Sequence, residues 1–358
     1  MLQSEEEIRL NHVSYLVKKA AVVLTQESKL RARELSRRRK SIWFGIFFSG
    51  IALVSGLPGF AGPFVINPTF TGNFNTNFGG NAGAARTAWM SAANVFTTNF
   101  SDNITVNITV DAVTGTGTLG QSDSNLVSDN YTDLYNKVVA DAKTADDATA
   151  RGPGGSVKAL DPVSGTHTWW VTNAQAKALN IAGAGATDGT TTFGAGNPFT
   201  FSGTVASGTY DFQGVAAHEI SEVLGRIGLG GGTVAGTFTN SYSLLDLFSY
   251  SGASTRVLGN GGGAGKQGSF SIDNGTTLLK QYNNQFSNGL DYRDWAGGTN
   301  DSFNQFANSG VTLPVSDVDL REIDVIGYDR VVTPEPSTGI LLISGLVAGG
   351  YLGRRRKP

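Results

Sequence analysis

One stretch of twelve residues, 215–226 (VAAHEISEVLGR), constrains the fold more than any other part of the chain. Apolar side chains lie on most sides of a helix drawn through it, a pattern that predicts a buried helix. Four ionisable residues interrupt the pattern: His218, Glu219, Glu222 and Arg226. Burying such groups is costly unless they pair with one another or bind a metal ion. The sequence therefore predicts either a metal site or a buried ion-pair network on this helix.

The spacing of these residues suits a metal site. His218 and Glu222 are four residues apart, so on a helix an imidazole nitrogen and a carboxylate can converge on one metal ion. Glu219 points about 100° further round the helix, where it can take a proton from a metal-bound water. The pattern differs from the H-E-x-x-H metalloprotease signature only by Glu222 in place of the second histidine. We predict His218 and Glu222 as metal ligands and Glu219 as the general base.

A third ligand has to come from outside the helix. Asp246, in the stretch LLDLFSYS, is the first choice, and the alternative for Asp246 is an ion pair with Arg226. His167 lies in an apolar strand-like stretch beside two tryptophans, which favours a core or substrate-edge role over ligation. Two residues are expected to support the ligands: Arg226 as an ion-pair partner, and Gly225 at the turn that follows the helix.

A ligand set of His, Glu and Asp places two negative charges on the metal, which weakens its Lewis acidity relative to a site of three histidines. Zinc is the expected metal, with calcium or manganese as alternatives, because carboxylate-rich sites are less selective. Tyr242 and Tyr250 are candidates to support an oxyanion by donating a hydrogen bond, against the alternative of structural roles. The loop 291–301 (DYRDWAGGTND) holds three aspartates and could bind calcium, although a solvated loop is the favoured interpretation.

The N-terminal end of the chain predicts export. Residues 37–61 combine a basic cluster, an apolar run and small residues at a cleavage site, which is typical of a signal peptide. An uncleaved membrane anchor is the alternative. Residues 1–36 form a charged extension before the signal, for which a mis-assigned translation start is one hypothesis.

The C-terminal end, residues 331–358, is more specific. It contains Pro334, Glu335 and Pro336, then a short apolar run and an arginine cluster. The apolar run and the cluster predict a short transmembrane helix with a positive cytoplasmic flank. In this order the three parts resemble a PEP-CTERM sorting signal. That resemblance implies export in a Gram-negative bacterium, recognition by an exosortase, transient membrane anchoring and a final location at the cell surface or outside the cell.

The body of the chain, residues 62–330, is acidic, with 13 Lys or Arg against 23 Asp or Glu. Such a body lacks the basic surface that nucleic-acid binding requires. Cysteine is absent, which excludes disulfides and thiolate ligands. The body is therefore expected to be held together by its apolar core.

The predicted fold class is α+β. The chain up to about residue 228 alternates helical patterns with strand patterns, whereas the part over about 229–330 is glycine-rich and shows little regular pattern. The predicted helices are 84–100, 131–143 and 173–180, and the predicted strands are 103–113, 166–172 and 190–194. These parts predict an N-terminal subdomain followed by an irregular, loop-rich C-terminal subdomain.

Beyond the helix motif, the chain resembles a family of exported PEP-CTERM metalloproteases with the motif H-E-I-x-E-x-x-G-R. The stretches WVTNAQAKAL, LLDLFSYS and SDVDLREIDVIGYD also match that family. The resemblance implies a zincin-like or metzincin-like fold, in which two or three helices pack on a twisted mixed sheet, and zinc-dependent proteolysis. Two departures from metzincins are Gly228 at the place of the third histidine and the absence of a methionine after the helix.

Together these features predict an exported metal-dependent endopeptidase that acts on protein or peptide substrates through a metal-activated water. The runner-up is a non-catalytic surface or matrix protein whose metal site is structural or degenerate. The missing histidine and the Gly- and Asn-rich composition favour the runner-up.

Overall fold

The computed structural model of the protein describes residues 63–259, 267–283 and 292–331. The N-terminal extension, the signal peptide and the sorting motif at 334–336 lie outside these residues. Across the described ranges, no helix is both long and apolar enough to cross a bilayer.

The described chain interleaves helices with short strands. The helices are α1 (Gly72–Phe78), α2 (Ala82–Asn99), α3 (Tyr131–Asp141), α4 (Ala145–Arg151), α5 (Asn173–Ala178), α6 (Phe212–Val223) and α7 (Asp317–Val325). The strands are β1 (Val65–Phe70), β2 (Thr105–Val113), β3 (Gly120–Ser124), β4 (Leu126–Asp129), β5 (Thr168–Thr172), β6 (Gly189–Gly194), β7 (Phe199–Thr200), β8 (Tyr210–Asp211), β9 (Gly232–Val234), β10 (Phe238–Ser243), β11 (Ser249–Gly252), β12 (Thr255–Arg256), β13 (Ser269–Phe270) and β14 (Lys280–Gln281). A 3₁₀ helix spans Leu244–Phe248.

The strands form mixed sheets, and together with the helices they confirm the α+β class. In the first sheet, of order β1-β2-β6-β3, only the edge strand β3 runs antiparallel to its neighbour. The second sheet has the order β4-β5-β10-β9, so two of its strands precede residue 228 and two follow it. The two predicted subdomains thus share a sheet. A third sheet, β12-β11-β13-β14, is antiparallel, and β7 pairs with β8.

Helix α6 lies in the core, as its apolar pattern predicts. Asp211 caps its first turn, with the Asp211 carboxylate accepting from the Gln213 backbone N–H at 3.1 Å. The other oxygen of Asp211 accepts from the backbone N–H of Leu313 at 2.9 Å, which ties a distant loop to the start of the helix. The helix packs against α2 on one side and against β3 and β6 on another. At its start, the Phe212 ring lies 4.8 Å from the Phe193 ring of β6, centroid to centroid.

The chain turns sharply after α6 at Gly225, where the sequence predicts an end to the helix. Gly225 has φ +115°, a conformation that costs little only for glycine. A Cβ at this position would also collide with the side chain of Gln175. That side chain is held between two elements: it accepts from the Thr172 backbone N–H at 3.0 Å and donates to the Ile326 carbonyl at 3.2 Å. Gly225 therefore allows α6 to end against the Gln175 side chain, which links α5 to the residue that follows α7.

We predict that Gly225→Ala destabilises the protein by about 1–2 kcal/mol or more, because it adds both backbone strain and a steric clash. Urea unfolding followed by circular dichroism measures the change. Gly83→Ala is the matched control, since Gly83 lies in the first turn of α2 with open space around its missing Cβ. The control should stay within about 1 kcal/mol of wild type. Equal stability of the two variants would contradict the role given to Gly225.

Candidate metal centre

The predicted ligands His218 and Glu222 lie on α6, at the foot of a groove of about 670 Å³. One wall of the groove is the edge strand β3 with the residues before it, from Gly117. The opposite wall comes from the segment 301–307, and residues 227–229 lie at the end of the helix. Helix, edge strand and loop thus meet around the charged residues of α6.

The orientation of the His218 ring is set by a backbone carbonyl. Its Nδ1 lies 2.7 Å from the carbonyl oxygen of Ser302. Because a carbonyl only accepts hydrogen bonds, Nδ1 must carry a proton. A neutral ring then presents its lone pair at Nε2, the nitrogen that faces the carboxylates of the site. This arrangement prepares Nε2 to act as a metal ligand.

Three ligand atoms converge at this point. His218 Nε2 lies 3.3 Å from Glu222 Oε1 and 3.6 Å from Asp294 Oδ1. The ligand atoms of these three residues all lie within 4.8 Å of one another. Within the described residues this is the His/Glu/Asp group that could hold a metal ion. Two of its members are the predicted pair, and Asp294 is the third.

Asp246, the first choice for the third ligand, lies elsewhere and is fully engaged there. Its Oδ1 accepts two hydrogen bonds from the Arg293 guanidinium, at 2.7 and 3.0 Å. Its Oδ2 accepts from the backbone N–H groups of Leu229, Gly230 and Ser243, at 2.9 to 3.1 Å. The geometry therefore replaces Asp246 by Asp294 in the candidate ligand set. The alternative for Asp246 is corrected too: its ion pair is with Arg293.

Arg226 joins the two carboxylates of the site, as an ion-pair partner of the kind expected. Its NH1 group donates to Asp294 Oδ1 at 2.6 Å and its NH2 group to Glu222 Oε1 at 3.4 Å. Its Nε donates to the Ser221 hydroxyl at 2.7 Å. The guanidinium lies over the Phe303 ring, 4.5 Å from its centroid. From the opposite side Ser122 of β3 donates to Glu222 Oε2 at 2.6 Å, so both carboxylates are held in place.

These charges shift one another's pKa values. Burial lowers the pKa of His218, but Asp294 and Glu222 outweigh burial and raise it to about 10. Burial raises the pKa of Glu222, yet the charges of His218 and Arg226 lower it to about 2. The pKa of Asp294 is raised, with burial as the largest cause. Without a cation the site is thus an ion network in which His218 and Arg226 face two carboxylates.

Glu219, the predicted base, lines the groove beside this group. Its pKa is raised well above the ordinary 4.5, first by burial and then by the charge of Glu222. Its carboxylate lies against β3 at Gly120, where a Cβ would collide with Glu219 Oε1. Gly120 therefore provides the space that Glu219 occupies.

Neither tyrosine proposed for oxyanion support lies in the groove. Tyr250 is fully buried and its hydroxyl donates to the Ser156 carbonyl at 3.4 Å. Tyr242 packs its ring 5.5 Å from Trp169, centroid to centroid. His167 is not a ligand of this group either, since its Nε2 lies 2.9 Å from Asp161. These contacts favour the structural alternatives.

The aspartate loop 291–301 contributes to the site in a way that its composition alone does not reveal. Asp291 lies outside the described residues, and Asp294 is the third candidate ligand. Asp301 is paired with Lys280 at 2.5 Å and accepts from the Phe303 backbone N–H at 2.8 Å. Asp301 and Asp294 therefore have separate partners, which argues against the calcium loop considered from the sequence.

Another buried acid, Glu322 of α7, interacts electrostatically with Arg226. Tyr282 donates to its Oε1 at 2.6 Å, while its Oε2 has no hydrogen-bond partner in the described structure. Burial raises the pKa of Glu322 to about 8, although the charge of Arg226 lowers it. Glu322 is therefore protonated at neutral pH in the folded protein.

We predict that Glu322→Gln removes part of the pH dependence of stability. The folded protein keeps a proton on Glu322 that the unfolded chain releases above pH 4.5. Wild type therefore loses stability as the pH rises from 4.5 to about 8, whereas the uncharged variant does not. Urea unfolding at both ends of this window measures the difference. A difference between the two proteins that stays constant across the window would argue against a raised pKa.

We further predict that Asp294→Asn loses bound metal whereas Asp246→Asn keeps it. Metal analysis should find about one equivalent of a divalent metal in wild type and in Asp246→Asn, and little in Asp294→Asn. Asp246→Asn should instead lower the free energy of unfolding by about 3–5 kcal/mol, because it leaves Arg293 buried without its partner. Retention of metal by a folded Asp294→Asn protein would remove Asp294 from the ligand set.

Comparisons of the chain with protein-family models, with curated proteins and with solved structures found no match.

Proposed function

We propose that the protein is an exported, zinc-dependent endopeptidase of the PEP-CTERM-sorted family that its motifs resemble. One observation carries the proposal: His218, Glu222 and Asp294 converge at the foot of an open groove, next to the buried carboxyl of Glu219. A structural ion network does not require access from a groove, whereas a site that acts on a substrate does. A zincin-like fold is part of this proposal, supported by the edge strand β3 beside the helix that carries the motif.

The donor set fits a divalent cation. One imidazole nitrogen and two carboxylate oxygens are ligands that zinc accepts, and the carbonyl of Ser302 orients the imidazole as metal-binding histidines require. A bound zinc ion supplies Lewis-acid chemistry, lowering the pKa of a coordinated water towards neutrality. Calcium and manganese are the alternative cations, because two of the three donors are carboxylates.

The roles of the remaining groups follow from their positions. Glu219 accepts the proton of the attacking water, and its raised pKa makes it a stronger base than an exposed glutamate. Its burial beside Gly120 holds the carboxyl at the groove and limits access of bulk water.

Within the described chain no strand pairs with the second edge of β3, which lines the groove. An extended peptide can therefore add to that edge through main-chain hydrogen bonds.

The termini complete the proposal, although they lie outside the described residues. The signal peptide at 37–61 directs export, and the motif Pro334-Glu335-Pro336 with its apolar run is the substrate of an exosortase. The protein would then act on protein or peptide substrates at the cell surface or outside the cell.

We predict that Glu219→Gln abolishes cleavage of a denatured protein substrate while zinc remains bound. The amide keeps the size of the side chain but cannot accept a proton, so the loss of general-base catalysis should reduce the rate by about 10²–10⁴-fold. Cleavage assays and metal analysis on the same preparation measure both quantities. Glu322→Gln, which changes another buried glutamate outside the groove lining, should retain cleavage.

A second function is favoured by one specific observation. Arg226 and His218 can neutralise Glu222 and Asp294 without any metal, as expected of a non-catalytic surface or matrix protein. Metal analysis separates the two functions before a substrate is known. A folded wild-type protein that takes up no metal would favour the non-catalytic function and contradict the proposed peptidase function.

A further inference from the structure

Arg226 makes contact with the same carboxylate oxygens that face His218. Its NH1 group donates to Asp294 Oδ1 and its NH2 group to Glu222 Oε1. These two oxygens lie 3.6 and 3.3 Å from His218 Nε2. The guanidinium and a metal ion would thus share their ligand atoms. Sharing is chemically allowed, because a carboxylate oxygen has two lone pairs and can accept an N–H while it coordinates a cation.

The guanidinium is held rigidly in this position. Its third nitrogen, Nε, donates to Ser221, which in turn donates to the carbonyl of His218 at 2.6 Å. The Phe303 ring covers one face of the guanidinium. The Arg226 side chain has no solvent exposure, and an arginine stays charged even when buried. Arg226 is therefore a fixed positive charge beside the candidate metal centre.

The net charge of the candidate metal centre explains why Arg226 is buried there. Glu222 and Asp294 carry two negative charges, and Arg226 cancels one of them. With a divalent cation and a neutral His218, the whole group then has a net charge of +1. A zinc site of two histidines and one glutamate, as in thermolysin, has the same net charge. Glu222 in place of a histidine adds one negative charge, and Arg226, four residues further along and just after the turn at Gly225, removes it.

We propose that Arg226 is a positioning residue that balances the charge of the metal centre. In the metal-free protein it substitutes for the charge of the cation, so the fold does not depend on metal. In the loaded protein it holds both carboxylates at the shared oxygens and offsets the extra negative charge of Glu222. This inference rests on the metal-binding part of the proposed function and not on proteolysis.

The test compares metal-induced stabilisation in wild type, Arg226→Gln and Arg226→Lys. Thermal unfolding is measured on each full-length protein without metal and with saturating zinc. Wild type should show a modest rise in Tm on zinc binding. Without metal, Arg226→Gln leaves two buried carboxylates with one fewer cation, so its Tm should fall strongly, and zinc should restore much of the loss. The zinc-induced rise in Tm should then be about twofold or more that of wild type.

Two further proteins separate this effect from a general loss of packing. Arg151→Gln breaks another buried Arg–Asp pair, the i,i+4 pair of Arg151 with Asp147 on α4, which lies away from the groove. This control should lower the Tm with and without zinc by the same amount. Arg226→Lys keeps the charge but loses the planar fork that reaches both carboxylates, so its zinc-induced rise should lie between those of wild type and Arg226→Gln.

The outcomes distinguish this inference from the proposed function. A zinc-induced rise in Tm of Arg226→Gln that is no larger than that of wild type overturns the role of Arg226. The proposed peptidase function still stands in that case if wild type cleaves its substrate. Zinc binding with the expected rise but without any cleavage supports the role of Arg226 and overturns the peptidase. An equally enlarged rise in Arg151→Gln would show that any loss of stability has this effect, and would also overturn the inference.

Discussion

The burial of charge on α6 is the constraint on which the rest of the structure depends. A helix whose flanks are apolar must be packed on several sides, yet it carries His218 and Glu222 into the interior, and Arg226 is buried just after the turn at Gly225. Two neighbours of α6 supply polar partners for these groups. Strand β3 contributes Ser122 to Glu222, and the 292–305 segment contributes Asp294 to Arg226. The core is therefore built around this network as well as around its apolar contacts.

The segment that supplies Asp294 also orients the histidine, and one local pairing explains both. The backbone N–H of Trp295 donates to the Phe303 carbonyl at 2.9 Å, which brings the two ends of the loop together. Asp294 and Ser302 then lie side by side, so one candidate ligand and the carbonyl that holds His218 come from a single loop. Trp295 fixes this loop to α7 by donating to Asp319 at 2.7 Å. A change in loop packing would consequently alter two parts of the site at once.

The sequence was sufficient for helices α2, α3, α5 and α6, for strands β2, β5 and β6, and for the charged residues of α6, because those depend on local periodicity and spacing. Helices α1, α4 and α7 and strands β1 and β10 were not predicted. The edge strand β3 escaped prediction, since GQSDS is polar throughout and one of its edges faces the groove. The third candidate ligand, Asp294, was not predicted for a different reason. Arg293 and Asp294 are adjacent residues at a turn, and their side chains reach different partners. One pairs with Asp246 and the other with Arg226, and which aspartate meets which arginine is decided by tertiary contacts alone.

The difference between a metal site and a structural ion network rests on Glu219. In a purely structural network each buried charge should have a partner, and Arg226, Glu222 and Asp294 meet that requirement without a metal. Glu219 takes no part in these ion pairs: it is 5% exposed, no side-chain hydrogen bond joins it to another described residue, and burial raises its pKa well above 4.5. A buried carboxyl without such bonds costs free energy, and the groove lining is what distinguishes Glu219 from Glu322, whose Oε2 also lacks a hydrogen-bond partner among the described residues. Gly120, whose missing side chain leaves room for this carboxyl, adds a second local cost in the same place. Glu219 is therefore the buried acid of the groove that the ion network does not use, and the proposed role of general base would account for its position.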